Sequence, residues 1–417
     1  MNIAIYTLTS ELHDAVAVER ATREFLDGLG IDYVLKGSDY SDYGSSTLNL
    51  IYVRTGGTEG QFLKLLPVLQ ASKGDVSRTD IRPFYLLTSG KSNSLAASME
   101  ILAYLRQNGL RGEIIHGSRE YVARRILLLA KAEKARQLMR GHRLGVIGRP
   151  SDWLISSNAD YDYVKERLGV SLVDIPMEEL LDIIAKIPET AQQDFKTGGH
   201  DVSSSLPGAN RIYVALKTLV ARHGLHGLTL RCFDLLTAVR NTGCLALARL
   251  NAEGVVASCE GDVPAMLSME IAHVLTGVSG FQANPASIDI ETGRMLFAHC
   301  TIPLNMVERY ETDTHFESGI GVGIRGYVKT GPVTIFKVSG ERPRADRHDM
   351  GVLPRYFIAE GELLGNEAEP DKCRTQLVIE LADKRKANYF LTDPIGNHHI
   401  IVPGHVQELL EEILAKS

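Results

Sequence analysis

Short apolar runs separated by amphipathic stretches fill the first third of the chain, and this alternation limits the fold more than any other feature. Segments 2–7, 32–35, 48–53, 84–87 and 113–115 read as strands. Segment 12–29 and the stretches that follow Thr58, Ser92 and Ser118 carry helical periodicity behind Ser or Thr caps. Strand and helix in regular succession predict a doubly wound parallel sheet.

A long basic helix ends at Arg140-Gly141, and a strand at 144–147 opens a second series of the same kind. Helices are expected at 161–168, 177–187 and 211–223, with a strand at 228–231. The polar loop 196–207, carrying Thr197-Gly198-Gly199-His200 and Ser203-Ser204-Ser205, suits either a linker or an active-site lid. From about Ser279 the character turns β-rich. Strands 287–290 and 294–299 flank a turn at Glu291-Thr292-Gly293, further strands read at 333–338 and 376–381, and an amphipathic helix closes at 406–415. No repeat with a period of roughly 20–50 residues is visible. The reading is therefore three domains: 1–142, 143–278 and 279–417.

Length agrees, because 417 residues exceed the about 250–300 that one core can serve. With 44% hydrophobic and 23% charged residues and a formal net charge of -6, the composition is globular and shows no basic footprint for nucleic acid. Met1-Asn2-Ile3-Ala4-Ile5-Tyr6 lacks the charged and apolar regions of a secretion signal. No apolar run approaches the ~20 residues of a membrane span, so a cytoplasmic protein with no membrane partner is expected. Five cysteines, an odd number without a CxxC pair, argue against a disulfide framework or a thiolate zinc site. They are expected to be reduced and mostly buried.

Two nucleotide-like motifs fail on context. Gly321-Val322-Gly323-Ile324-Arg325-Gly326 spells GxGxxG, but an extended segment follows where the dinucleotide fingerprint needs a helix N-terminus. Gly90-Lys91-Ser92 ends like a P-loop, yet the upstream glycine position is Tyr85, which leaves a helix-capping loop.

Two other segments bear on chemistry. In Ala257-Ser258-Cys259-Glu260-Gly261-Asp262-Val263-Pro264-Ala265-Met266, a small-residue strand ends in two carboxylates, and Pro264 suits a first helical turn. Such carboxylates can bind a hard cation or shuttle a proton; equally, Asp262 can be an N-cap and Glu260 a solvated side chain. In Gly396-Asn397-His398-His399, two neighbouring histidines in a strand must face opposite ways, so at most one enters a given site. Arg149 and Trp153, just after a strand, suit an anionic group and a sugar ring respectively, or else a salt bridge and core packing.

These segments, with His299-Cys300 and Cys373-Arg374-Thr375-Gln376 and two βα domains in front, resemble the L-fucose and L-arabinose isomerase family. The resemblance spans nearly the whole chain and rests on two short motifs. It implies two consecutive Rossmann-like doubly wound domains followed by a β-rich C-terminal domain, and a homo-trimer or homo-hexamer that converts an aldose to a ketose. It implies Mn2+ or Mg2+ held by carboxylates and histidines. Carried over by position, Glu260 matches a metal-binding, proton-transferring carboxylate and His398 the C-terminal ligand, with His399 as the fallback. His299 matches the additional histidine of the arabinose branch.

One departure stands out. Where relatives show Arg-Cys-Trp-Pro-Glu, this chain has Arg231-Cys232-Phe233-Asp234-Leu235, so the position of the second carboxylate reads as Leu235, with Asp234 one place earlier as its only nearby substitute. The expected reaction is ketol isomerisation of a sugar through an enediol, with Glu260 as base, Asp234 or Asp262 as partner and His398 as ligand. The alternatives are a carbohydrate-binding protein on a retired isomerase scaffold and a related metal-dependent lyase or epimerase. The glycine-bearing turn Arg54-Thr55-Gly56-Gly57-Thr58-Glu59, at the end of the strand 48–53, is expected to place Arg54 and Glu59 in a neighbouring subunit's site.

Overall fold

The structure is a computed structural model and describes residues 1–71, 83–188, 198–342 and 355–416. Lys196 and Thr197 of the polar loop lie outside these. The chain divides into two compact units, Met1–Gln137 and Leu138–Leu414.

In the first unit, strands β1 (Ile3–Leu8), β2 (Val34–Gly37), β3 (Leu48–Val53), β4 (Phe84–Leu87) and β5 (Gly112–Ile115) form a parallel sheet in the order β2-β1-β3-β4-β5. Every residue of β1 is buried, as a parallel strand covered on both faces requires. Ile3 and Ile5 pack with Leu26, Val122 and Ile126 of the helices Ala15–Asp27 and Arg119–Met139. Ala4, Tyr6 and Leu8 pack on the other face with Phe62, Leu66 and Ile101 of Glu59–Ala71 and Ser94–Gln107. The first helix starts three residues later than its periodicity predicts, because the Asp14 carboxylate accepts from Val16 N at 2.9 Å and caps it there.

The second unit begins with another parallel sheet, β6 (Arg143–Ile147), β7 (Ser171–Ile175), β8 (Gly227–Leu230) and β9 (Val256–Cys259), ordered β7-β6-β8-β9. Strand β7 escapes the sequence reading because it is a partly exposed edge carrying a charge, Ser-Leu-Val-Asp-Ile.

An antiparallel region follows: β10 (Phe281–Asp289), β11 (Arg294–His299), β12 (Arg309–Asp313), β13 (Gly323–Tyr327), β14 (Gly331–Val338), β15 (Tyr356–Glu367), β16 (Thr375–Leu381) and β17 (His399–Pro403). Six of these close a barrel in the order β10-β11-β16-β15-β14-β17, while β12 and β13 pair as a hairpin. The barrel is filled by alternate residues, among them Phe281 and Ala283, Met295 and Phe297, Val333 and Ile335, Phe357 and Ala359, Leu377 and Ile379. The glycine-rich Gly321–Gly326 segment largely forms β13, an antiparallel strand with no helix behind it.

Between β9 and the barrel lies the helix Val263–Thr276, whose first ten residues are all buried. It packs on β8 and β9 and on β10, β14 and β17, so it needs apolar residues on every side and shows no amphipathic stripe. Among the described residues no helix is long and apolar enough to cross a membrane.

Candidate active site

Glu260 directly follows β9 in a left-handed backbone conformation, φ 63°. Gln282 of β10 holds the strand in front of it: its amide oxygen accepts from Cys259 N at 2.8 Å and Ser258 Oγ at 3.0 Å. Cys259, at the edge of the sheet, thereby has its free backbone group satisfied by a barrel side chain.

Behind Glu260 the chain makes a contact only glycine permits. A Cβ on Gly261 (φ 73°) would lie 2.3 Å from Arg149 O and 2.7 Å from Pro150 Cα. Arg149 follows β6 and is itself left-handed, φ 68°, and Ser151 N donates to Glu260 O at 2.9 Å. Two bulky residues in a sparsely populated region, locked backbone to backbone, are strain retained at the strand ends where open α/β sheets carry their sites.

Three groups converge there. Glu260 Oε1 lies 3.6 Å from His299 Nε2, at the end of β11, and 3.5 Å from His398 Nε2, just before β17. The three ligand atoms lie within 4.8 Å of one another, a group that could hold a metal ion. Glu260 Oε2 accepts from Trp153 Nε1 at 2.8 Å, and the Trp153 ring meets Phe233 edge-on at 4.7 Å.

Each imidazole is oriented through its other nitrogen. His299 Nδ1 pairs with Thr301 Oγ1 at 2.8 Å, and His398 Nδ1 with Asp262 Oδ2 at 2.9 Å. A carboxylate only accepts, so His398 carries its Nδ1 proton toward Asp262, and Nε2 faces Glu260. That Nε2 is buried and lacks a hydrogen-bond partner; 3.5 Å to the carboxylate is ion-pair distance, too long for a sound hydrogen bond. An orphaned buried nitrogen beside a second imidazole and a carboxylate fits a divalent cation.

Burial alone would push the Glu260 carboxyl up, but the charge of His398 and the close approach of both imidazoles outweigh it and hold the group well below the usual range. Burial likewise works against His398, yet Glu260 and Asp262 raise it to about 9. Asp262, wholly enclosed, is depressed to about 2 because Lys337 and His398 overcome the cost of burial.

The remaining sequence candidates separate. Asp262 is enclosed at the helix N-terminus, where its Oδ1 accepts from Ala265 N at 2.8 Å. It stands behind His398. His399 faces away, as strand geometry requires: it is fully buried, with its ring near Phe390 and Tyr389 Oη at 3.1 Å. Burial, then Lys337, lower it to about 3. Asp234 stays outside the three-residue group, with its carboxylate on Arg231 Nε at 3.0 Å, while Leu235 sits in the core below the sheet. Arg231 also binds Asp152 and the Pro150 carbonyl. Arg149 is exposed and has no ion-pair partner among the described residues. Arg54 and Glu59 belong to the first unit, where Arg54 binds Glu19 at 3.0 Å and Thr9 at 2.6 Å.

The sequence reading missed two participants. Thr301 lies two residues past His299, and Lys337 is fully buried in β14 with its Nζ 3.2 Å from Asp262 Oδ2. A lone lysine inside the apolar run 333–338 was its one visible signal. All five cysteines are free and four are buried, with Cys232 Sγ and Cys259 Sγ 3.0 Å apart beneath the strand ends.

No family model matches the chain. It is 29% identical over 228 residues, 51% of its length and 48% of the other's, to a protein of Clostridium sp. (strain MSTE9) named sulfoquinovose isomerase. The chain thus spans about half of that relative. A protein of the same name from Priestia aryabhattai is 24% identical over 399 residues, 91% of this chain and 86% of the other. A third, from Alkalicoccus urumqiensis, is 22% identical over 271 residues, 61% of each. Each of these three relatives is named as an isomerase of sulfoquinovose.

The interlock at Gly261 generates a test. Gly261→Ala should lower unfolding stability by at least ~2 kcal/mol, because backbone atoms rather than flexible side-chain ends must move. Denaturant melts with the wild-type midpoint would show that the two turns are not packed this closely.

Proposed function

We propose that the chain is a metal-assisted aldose–ketose isomerase of an anionic, sulfonated hexose, with Glu260, His299 and His398 as its working centre. One observation carries the reading: a carboxylate oxygen and two imidazole nitrogens, one of them buried with no hydrogen-bond partner among the described residues, converge in a relative of proteins named sulfoquinovose isomerase. We place the chemistry in the broader L-fucose and L-arabinose isomerase family on the motifs around Glu260 and His398, with substrate choice moved to an anionic sugar.

Glu260 Oε1, His299 Nε2 and His398 Nε2 would hold the ion, and a mixed oxygen and nitrogen set favours Mn2+ over the harder Mg2+. When bound, such an ion supplies positive charge against the negative charge that develops on adjacent sugar oxygens during proton transfer.

The rest falls to the chain's own groups. Glu260 takes the proton from C2 of the open-chain aldose, which leaves an enediolate with its charge on O1. The carboxyl then returns its proton to C1 while the C2 hydroxyl proton passes to O1, leaving the carbonyl at C2. Trp153 holds Oε2, so the carboxylate keeps one orientation through both transfers. Asp234 serves the entrance through Arg231 in this reading, and Asp262 positions His398. Arg149, exposed and without an ion-pair partner among the described residues, takes the sulfonate, and the half-exposed Trp153 offers its ring to the sugar.

We also propose a cytoplasmic, closed homo-oligomer, a trimer or hexamer, in which Arg54 and Glu59 of one subunit complete the cleft of another. Its test is subunit exchange. An Arg54→Ala/Glu59→Ala variant mixed with Glu260→Gln should regain partial activity, and proven exchange without recovery would sink the shared site.

Glu260→Gln should cut ketose formation from sulfoquinovose in the presence of Mn2+ by ~10²–10⁴-fold while the fold survives. Turnover at the wild-type rate would remove Glu260 from the chemistry, and a wild type that binds sulfoquinovose without converting it would favour a binding protein. Arg149→Met should lower kcat/KM for the sulfonated sugar by ~10–100-fold, from loss of a charge-assisted hydrogen bond, and leave an uncharged 6-deoxy analogue nearly unaffected. An equal loss on both sugars would mean that Arg149 does not read the sulfonate.

A further inference from the structure

Lysine is almost never wholly buried unless it is paired. Lys337 is wholly buried, as is the carboxylate of Asp262 that receives it. If the barrel needed only to be filled at this point, a methionine or leucine of similar volume would do so at lower desolvation cost. The ammonium therefore calls for an explanation beyond packing.

We propose that Lys337 is a positioning residue of the site, acting through Asp262 to fix the orientation and tautomer of His398. Its Nζ lies 3.2 Å from Asp262 Oδ2, the same oxygen that receives His398 Nδ1 at 2.9 Å. The other oxygen, Oδ1, is occupied by Ala265 N at 2.8 Å. With both oxygens engaged the carboxylate cannot rotate. An ammonium can only donate, so Oδ2 can only accept, and the imidazole proton is obliged to sit on Nδ1. In the neutral, ligand form of the imidazole, Nε2 is thereby the bare nitrogen, turned toward Glu260 Oε1 and His299.

The motif that drew attention in the sequence supplies an independent observation. Gly396 has φ 149°, and a Cβ there would lie 3.0 Å from Lys337 Nζ and 3.5 Å from its Cε. The glycine two residues ahead of His398 leaves the volume that the lysine head occupies, so the segment leading into β17 is shaped around the group that indirectly orients the imidazole. Carboxylate partners of ligand histidines typically change metal affinity by about 10–100-fold when removed. Lys337 extends that arrangement by one further residue, from an adjoining strand of the barrel.

This inference rests on the proposed role of Glu260, His299 and His398 as metal ligands, and its test reads metal binding rather than turnover. Mn2+ affinity of the purified full-length protein is measured by the free Mn2+ signal in electron paramagnetic resonance, and folding is checked separately by thermal melting. Lys337→Met should weaken Mn2+ binding by about 10–100-fold in protein that remains folded at the assay temperature. Lys337→Met/Asp262→Asn, which leaves no unpaired buried charge, should fold at least as well as the single variant and bind Mn2+ as weakly. Wild-type affinity in either folded variant would overturn the positioning role and reduce Lys337 to a structural group. A wild type that binds no Mn2+ would instead sink the metal reading itself, and this inference with it.

Discussion

Three donors and one buried carboxylate hold the second unit together at its most demanding point. Asp262 caps the helix Val263–Thr276, receives Lys337 from β14 and binds the imidazole just ahead of β17, all without solvent. Its neighbour Cys259 is gripped in the same way by Gln282 of β10. Breaking a buried ion pair by removing one partner costs on the order of 3–5 kcal/mol, so neither barrel strand can drift from the helix without exposing an uncompensated charge to an apolar interior. The parallel sheet supplies Glu260 and the barrel supplies both histidines, and this polar seam fixes how they meet.

The second constraint is steric. The turn after β9 and the turn after β6 touch main chain to main chain at Gly261, which forces left-handed conformations on Glu260 and Arg149 alike. Strain of about 1–3 kcal/mol per residue persists only where the surroundings over-determine it. Here the surroundings include Trp153, whose indole N–H donates to one Glu260 oxygen while its ring meets Phe233 in a T-shaped contact.

How much of this could be read from the residues follows from what each segment has to satisfy. Strands β1, β3 and β4 were legible because a doubly covered parallel strand is apolar nearly along its length, and β11 and β14 because their runs are bounded by turns. The long strand β15 was not, since a register shift between Leu363 and Gly365 breaks the alternation that marks a strand. Closure into a barrel is a property of strand pairing at long range, which no local pattern records. At the site, Glu260 and the opposite facing of His398 and His399 follow from local geometry and were visible. Lys337 was not, because its significance depends on a carboxylate 75 positions away. Asp234 illustrates the reverse case. One residue of offset leaves the carboxylate on Arg231 and puts Leu235 into the core, and a motif match cannot reveal which of two neighbours faces the cleft.

The left-handed backbone at Glu260 carries a consequence for the history of such chains. Glycine adopts that conformation freely, and asparagine more readily than glutamate, so selection on folding alone would steadily replace the glutamate. A glutamate at φ 63° therefore runs against the folding preference and points to a use for its carboxylate. In descendants freed from catalysis, position 260 would be among the first to relax toward glycine, while Gly261, needed for the fold whatever the chemistry, would stay unchanged. The pair acts as a gauge of whether a homologue still works, readable from two adjacent letters.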